Sequence, residues 1–303
     1  MSTSGFVHAL AKQQVQQPRR VSGVALRREL ERKLNALQKD YAELHAEIFE
    51  AAQVHRRLCA PRLVRYGDFE IANEIFAVRH LAGDFFTINH APDGVVLALG
   101  DICGKGLAAG MWTTHLVGRV NVNACNDSNP SRIVSEVNKD VCMTGRLAPL
   151  ASLFVARLNP VTGILDYCSA GHPPAILLRA TGEVELLCDG GLLLGVISAA
   201  PYVTGSVQLQ HNDVLLAYSD GVIESRNKAE EEFGLTRLED QLRRANQGGA
   251  AAAESLLFSV LASVQDFAGT HPLVDDLSLA VIRRGDRDTN QQSQSMDCPH
   301  LFL

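Results

Sequence analysis

Four short segments of this chain place an aspartate beside a glycine or at the edge of an apolar run. They are Gly83-Asp84-Phe85, Gly100-Asp101-Ile102, Ser219-Asp220-Gly221 and Asp275-Asp276-Leu277. Carboxylates suit hard divalent ions such as Mg²⁺ and Mn²⁺, and glycine lets a backbone approach a ligand closely. The pattern indicates that these acids converge on metal ions. A single Asp-Gly pair is at least as often a turn or a cap, so spacing alone leaves the convergence open.

The central segment runs from Gly100 to Gly106. It follows the apolar run Val95–Leu99, which predicts a buried strand, and it precedes a helical pattern that begins at Leu107. A glycine-rich turn between strand and helix is also typical of a nucleotide P-loop. That motif needs four residues between its glycines and a Ser or Thr after its lysine. Here three residues intervene and Gly106 follows Lys105, so an ATPase is disfavoured.

Composition narrows the class of protein. The 303 residues allow one large domain with an appended helical arm. A formal charge of −6 gives no reason to expect nucleic acid. The seven cysteines never form a CxxC pair, which disfavours a disulfide framework or zinc knuckle and predicts a reducing cytoplasm. We expect no signal peptide, and no apolar run reaches the ~18 residues of a membrane span.

The N-terminal part divides into a polar lead and an arm. Residues 1–22 are predicted to be disordered, and residues 23–60 to form a helical arm. Its apolar positions alternate at spacings of four and three: Leu30, Leu34, Leu37, Tyr41, Leu44, Ile48, Ala51, His55 and Leu58. This heptad seam over 24–58 favours a coil that binds a second copy or a regulatory partner. The alternative is an amphipathic helix packed on its own domain.

Residues 61–284 are predicted to form the main domain, and 285–303 a disordered tail. The strand patterns cover 69–78, 85–89, 95–102, 153–158, 165–169, 175–179, 184–187, 203–209, 214–218 and 277–283. The helical patterns cover 107–125, 130–144, 234–246 and 250–268. Strands come in adjacent runs and helices in pairs, which predicts an α+β fold with antiparallel sheets.

Six motifs, in this order, carry a resemblance to a known family. They are Ala82-Gly83-Asp84-Phe85-Phe86, Gly100-Asp101-Ile102-Cys103-Gly104-Lys105-Gly106, Ser169-Ala170-Gly171-His172-Pro173-Pro174, Gly191-Leu192-Leu193-Leu194-Gly195, Tyr218-Ser219-Asp220-Gly221-Val222-Ile223-Glu224 and Asp275-Asp276-Leu277-Ser278. Residues 69–284 thereby resemble the metal-dependent protein phosphatases, in the SpoIIE/RsbU branch of bacterial serine phosphatases.

The resemblance implies a four-layer αββα sandwich of two antiparallel sheets flanked by helices. It also implies two divalent ions, Mn²⁺ or Mg²⁺, and attack by a hydroxide that bridges them. The implied reaction is hydrolysis of phosphoserine or phosphothreonine, typically on a phosphorylated STAS-domain antagonist of an anti-sigma factor.

The resemblance also assigns roles to single residues. The implied metal ligands are Asp84, the bridging Asp101, the Ile102 carbonyl, Asp220 and Asp275, with Asp84, Asp101 and Asp220 as the catalytic acids. Gly100, Gly104, Lys105 and Gly106 would shape the turn. Supporting roles fall to Asp276, which is the less favoured acid of its pair, and to Ser219 and Glu224. Arg79 could bind a substrate phosphate, or it could be an ordinary surface arginine. For His172, in a rigid His-Pro-Pro turn, a structural role is favoured over catalysis.

Three residues depart from the family's pattern. Ala82 and Thr87 stand where the family usually has a glycine and a second aspartate. Cys103 stands where related branches have other residues, including a histidine that acts as general acid, so no proton donor is evident here. The alternative function is therefore a weakly active or inactive phosphatase-like domain that serves as a dimeric regulatory binding module.

Overall fold

The computed structural model describes residues 23–79, 81–145, 148–249 and 251–285. By the density of its internal contacts the chain divides into two compact units, with the boundary between Phe49 and Glu50. The described part of the first unit, residues 23–49, belongs to a single helix, and the second unit contains both sheets. The predicted disordered lead, and the predicted tail apart from Gly285, lie outside the described residues.

The first sheet joins strands from both ends of the domain. Its order is β1-β2-β12-β11-β7-β8, with every neighbouring pair antiparallel. The strands are β1 (Leu63–Tyr66), β2 (Phe69–Phe76), β7 (Ala175–Leu178), β8 (Val184–Leu187), β11 (Val214–Tyr218) and β12 (Leu277–Arg284). Because β12 lies between β2 and β11, the start of β12 lies beside the ends of both neighbours.

The second sheet is built from the middle of the chain. Its order is β10-β6-β5-β4-β3, and β9 adds to β6 in the only parallel pairing among the described strands. The strands are β3 (Phe85–Ala91), β4 (Gly94–Ile102), β5 (Ala151–Leu158), β6 (Ile164–Ala170), β9 (Gly190–Gly191) and β10 (Gly205–Gln208). The Pro92-Asp93-Gly94 turn joins β3 to β4, as the sequence predicts.

Helices cover the outer faces of both sheets. Helices α2 (Leu107–Asn126) and α3 (Pro130–Met143) pack on the second sheet, and α4 (Asp220–Ile223), α5 (Gly234–Ala245) and α6 (Ala253–Ala268) pack on the first. Helix α1 (Gly23–Leu58) precedes both sheets in the chain. One apolar cluster fills the space between the sheets, a second lies under α5 and α6, and a third lies under α2 and α3. The predicted αββα sandwich is confirmed, since each sheet buries one face against the other sheet and one against helices.

Helix α1 is divided between the two units. In residues 23–49 the seam side chains Leu30, Leu34, Leu37, Tyr41 and Leu44 are all more than half exposed. In the second unit, Ala52 and His55 are buried instead. Of the two weakest seam positions in the sequence, Ala51 and His55, His55 therefore packs within the second unit.

No helix of the described residues is long and apolar enough to cross a bilayer.

The structure adds three elements that the sequence patterns did not predict. Strand β1 forms a hairpin with β2 through Gly67, which has a positive φ of 59°. Strand β9 has only two residues, too few for a periodic signal. Helix α4 is a single turn that begins at Asp220, so this acid opens a helix rather than a loop. Predicted strand and helix limits otherwise differ from those observed by a few residues.

Candidate metal centre

Asp101 is fixed by the central strands of the second sheet. It lies in β4 directly opposite Ser152 of β5. The strand can reach this position because Gly100 has no side chain: a Cβ there would lie 2.5 Å from the ring of Phe85. After β4 the chain turns into α2 through Gly104 and Gly106, with φ of 145° and 79°, conformations that L-residues other than glycine rarely adopt. These two glycines therefore shape the turn.

Two hydroxyl groups fix Asp84 and the residue before it. It is 2% exposed, and the Ser278 hydroxyl of β12 donates a short hydrogen bond to its Oδ2. The preceding residue, Gly83, is fixed by the Thr113 hydroxyl of α2, which donates to the Gly83 carbonyl at 2.8 Å. Neither role is predicted from the sequence. Ser278 lies two residues after the last acidic pair, within the same motif, but Thr113 lies in a helical run that carries no signal for this role.

Asp84 and Asp101 interact directly with each other. Burial, and then the charge of Asp101, hold the pKa of Asp84 well above its ordinary value. Burial also raises the pKa of Asp101 to about 6, while its hydrogen bond with Asp84 acts in the opposite direction. Two carboxylates this close form a site that a divalent cation would relieve of like-charge repulsion.

Asp220 and Asp275 approach the same edge from the first sheet. Asp220 follows β11, and burial and then the charge of Asp275 raise its pKa, while Lys105 lowers it. The approach depends on Gly221, where a Cβ would overlap the backbone carbonyl oxygen of Asp276. Asp275 precedes β12, and its Oδ2 lies 2.8 Å from Lys105 Nζ.

Asp276 points away from this pairing and acts as a backbone clamp. Its Oδ1 accepts the Val78 N–H and its Oδ2 accepts the Gly83 N–H, each at 2.8 Å. Both oxygens are therefore committed to a segment almost two hundred residues earlier in the chain. Asp276 thereby fixes the loop that presents Asp84. Ser219 completes this junction, since its hydroxyl accepts the Ser278 N–H at 3.1 Å and donates to the Asp276 carbonyl at 3.3 Å.

The donor set at this edge fits hard divalent ions in kind. Four segments supply carboxylate oxygens, and the Ile102 carbonyl faces the same turn, because a Cβ on Gly83 would lie 3.3 Å from Ile102 O and 3.7 Å from Asp101 Oδ1. Among the described residues, no three Asp, Glu, His or Cys side chains already stand as a group able to hold one ion. The acids converge, while partners such as Lys105 and Ser278 occupy some of their oxygens.

The remaining predicted residues lie at different distances from the acids. Arg79 is exposed and lies beside the turn, since a Cβ on Gly106 would be 3.6 Å from its Nη1. Glu224 follows α4, and burial and then the charge of Asp220 raise its pKa. Cys103 is exposed, and burial of part of the thiol, followed by the charge of Asp101, raises its pKa. A thiol so disposed is a poor proton donor at neutral pH.

His172 lies behind Asp101. Its Nδ1 is 2.6 Å from the hydroxyl of Ser152, the residue paired with Asp101 across the strands. The ring is buried, and burial lowers its pKa to about 3. A neutral, enclosed imidazole can orient Ser152 but has no exposed proton to transfer. This placement agrees with a structural role.

The two departures from the family pattern are both buried. The Ala82 side chain is 5% exposed, and its carbonyl receives a 3.3 Å hydrogen bond from Thr113. Thr87 is 3% exposed and lies in β3, and its hydroxyl has no partner among the described residues. Thr87 therefore adds no ligand to the acid cluster.

Comparison with known proteins now identifies the family. Residues 91–285 match the family model described as Stage II sporulation protein E, SpoIIE, over more than half of the chain. The chain belongs to the SpoIIE family. The predicted recognition as a SpoIIE/RsbU-type metal-dependent protein phosphatase is confirmed, and so is the enzyme class. The matched range begins after Asp84, so the placement of this acid depends on the structure.

The chain is also similar to individual proteins. The chain is 23% identical over 246 residues to the phosphoserine phosphatase RsbU of Bacillus subtilis (strain 168), covering 80% of this chain and 71% of the relative. The fold matches the SiaA PP2C domain of Pseudomonas aeruginosa with a TM-score of 0.69 at 17% identity, over 80% of this chain and 98% of that domain.

The fold also matches a metal-containing structure. This is the catalytic domain of the serine/threonine phosphatase PstP in complex with two manganese ions. The TM-score is 0.52 at 14% identity, over 72% of this chain and 99% of that domain. At these identities the structural matches establish the fold of this SpoIIE-family chain.

Proposed function

We propose that the chain is a Mn²⁺- or Mg²⁺-dependent phosphatase that hydrolyses phosphoserine or phosphothreonine on a STAS-domain antagonist of an anti-sigma factor. The observation that carries the proposal is the convergence of Asp84, Asp101, Asp220 and Asp275 at one edge of the two sheets. Electrostatics supports the proposal, because the charges of Asp220 and Asp275, after burial, raise the pKa of Asp101. Carboxylates this close disfavour one another unless a proton or a cation intervenes.

The residues that would hold two ions are Asp84, Asp101, Asp220, Asp275 and the carbonyl of Ile102. When bound, two divalent ions would supply an activated water and neutralise charge on a phosphoryl group. The protein itself contributes the placement of the carboxylates that would hold the ions. Asp101 stands at the junction of the two sheets, with Asp84 on one side and Asp220 and Asp275 on the other.

Substrate orientation falls to Arg79 in this proposal. Its guanidinium forms no ion pair among the described residues and stands beside the Gly106 turn. Guanidinium matches phosphate oxygens in bidentate geometry. The relative RsbU is named a phosphoserine phosphatase, which supports the same substrate group here. The STAS partner and a cytoplasmic location remain predictions from the sequence.

The direct test measures phosphate release from a phosphorylated STAS protein. With Mn²⁺ added, the wild type should release phosphate, and Asp101→Asn should lower the rate by at least about 100-fold, since the bridging position contributes several kcal/mol. Asp93→Asn, in the exposed β3–β4 turn, is the matched control and should keep the wild-type rate. Activity that is independent of Mn²⁺, or equal in wild type and Asp101→Asn, would contradict the proposal.

A second candidate function is a weakly active or inactive binding module. The partnerless Thr87 hydroxyl favours it, since a buried polar group without a ligand role suggests an altered site. The same assay separates the two. If Mn²⁺ binds but phosphate release stays at the level of Asp101→Asn, the module is supported.

We also propose that the exposed seam of residues 23–49 pairs with a second copy of the chain. The spacing and the exposure of Leu34 and Leu37 support this, because a seam of this kind buries apolar surface only against another helix. Light scattering of the full chain should report a dimer, and Leu37→Glu should shift it to the monomer. Gln38→Glu, one position off the seam, should leave the mass unchanged. A monomeric wild type would refute the pairing.

A further inference from the structure

Lys105 connects the turn before α2 to the loop before β12. Its ammonium lies 2.8 Å from Asp275 Oδ2 and donates a 2.6 Å hydrogen bond to the Val274 carbonyl. Its side chain is about one-third exposed, so this arrangement is neither deeply buried nor free in solvent. The lysine therefore holds a proposed metal ligand from across the site.

The same ammonium is the counter-charge of the acidic cluster. Among the described residues, Lys105 is the only lysine or arginine that forms an ion pair with any of the five acids, Asp84, Asp101, Asp220, Asp275 and Asp276. Its charge lowers the pKa of both Asp220 and Asp276. A cation that already stabilises these carboxylates occupies the electrostatic position that a metal ion would take.

Both carboxylate oxygens of Asp275 already have partners, so a metal ion and Lys105 would compete for the same oxygen. Oδ1 accepts the Asp276 N–H at 3.0 Å, and Oδ2 faces the ammonium. A divalent ion on Oδ2 would stand within a few ångströms of a second cation, where like charges repel strongly. The lysine stem is long and rotatable, so the ammonium can leave Asp275, but it must give up two contacts to do so.

We propose that Lys105 is a tethered cation that competes with a divalent metal ion for Asp275 and thereby sets the metal concentration at which the site fills. The inference rests on the metal-dependent function proposed above. It makes Lys105 a regulator of occupancy rather than only a residue that shapes the turn. Metal binding at Asp275 then includes the displacement of an internal cation.

The test is calorimetric titration of Mn²⁺ into the full chain after removal of metal with EDTA and dialysis. Lys105→Met and Lys105→Gln should bind the Mn²⁺ ion that contacts Asp275 at least about tenfold more tightly than wild type, because the competing positive charge of the lysine is gone. Lys105→Arg keeps the cation and should stay within about threefold of wild type. Lys139→Met, an exposed lysine on α3, is the matched control and should not change.

A double variant tests whether the effect passes through Asp275. In an Asp275→Asn background, Lys105→Met should no longer tighten binding. Equal or weaker Mn²⁺ binding by folded Lys105→Met and Lys105→Gln would overturn the proposal and make the lysine a clamp that supports the site. Failure of both neutral variants to fold would also overturn it, because Lys105 would then be needed for structure.

The outcomes separate this inference from the function on which it rests. If the wild type binds no Mn²⁺ and releases no phosphate with it, the metal-dependent function fails. If the wild type does both, and the neutral Lys105 variants bind no more tightly, the competition alone fails.

Discussion

The adjacent acids Asp275 and Asp276 should respond very differently to the same substitution. Asp276 accepts two backbone N–H groups, from Val78 and Gly83, and so ties the start of β12 to the loop before Asp84. Asp275 faces Lys105 and the proposed ions. We therefore predict that Asp276→Asn destabilises the fold, whereas Asp275→Asn chiefly removes metal binding.

The size of the effect follows from the contacts. An asparagine keeps one acceptor oxygen, so one of the two charged hydrogen bonds is lost, at a cost of about 1.5–3 kcal/mol. The substitution also removes one negative charge from the acidic cluster, and the relief of repulsion offsets roughly 1 kcal/mol of that cost at the effective dielectric of a protein surface. The free energy of unfolding should therefore fall by about 0.5–2 kcal/mol, which in a domain of this size lowers Tm by about 1–8 °C.

Urea unfolding at pH 7.5 with EDTA, followed by circular dichroism, measures this difference. Asp275→Asn loses only a partly exposed ion pair, so its unfolding free energy should stay within about 1 kcal/mol of wild type. Calorimetry should show the converse, with Mn²⁺ binding weakened far more by Asp275→Asn. An Asp276→Asn variant as stable as wild type, or an Asp275→Asn variant that is the less stable of the two, would refute the clamp.

Three further outcomes follow from the same site. After EDTA treatment, the unfolding free energy should fall by up to about 3 kcal/mol as pH rises from about 4 to about 6, because the raised pKa of Asp101 makes the folded state bind more protons in that range. Urea unfolding at several pH values measures this change, and Asp101→Asn should make it smaller. Gly221→Ala should destabilise the fold by about 1–3 kcal/mol and weaken Mn²⁺ binding, because its Cβ would overlap a backbone oxygen. The control Gly118→Ala places its Cβ in open space in α2 and should be neutral or stabilising in thermal unfolding. Thr113→Val should cost about 1 kcal/mol in urea unfolding through loss of the bond to Gly83, and unchanged stability would show that this bond does not support the loop.

The elements of the domain were largely readable from local patterns. The run Val95–Leu99 became the buried centre of β4, and Asn129 caps α3 ahead of Pro130, as the local residue types predict. Patterns failed where an element is too short to show a period. Strand β9 and helix α4 exist because neighbouring segments supply their partners, and no local signal encodes that.

By itself the sequence determined the kinds of chemical group at the site: oxygen ligands on four glycine-flanked segments, which together indicate hard divalent ions. Only the tertiary structure decided which acid does what. Asp275 and Asp276 are identical in type and adjacent in the chain, yet β12 turns one toward Lys105 and the other toward the backbone of Val78 and Gly83. A side chain's role depends on partners that the fold brings from far along the chain, and residue type and spacing carry no record of those partners.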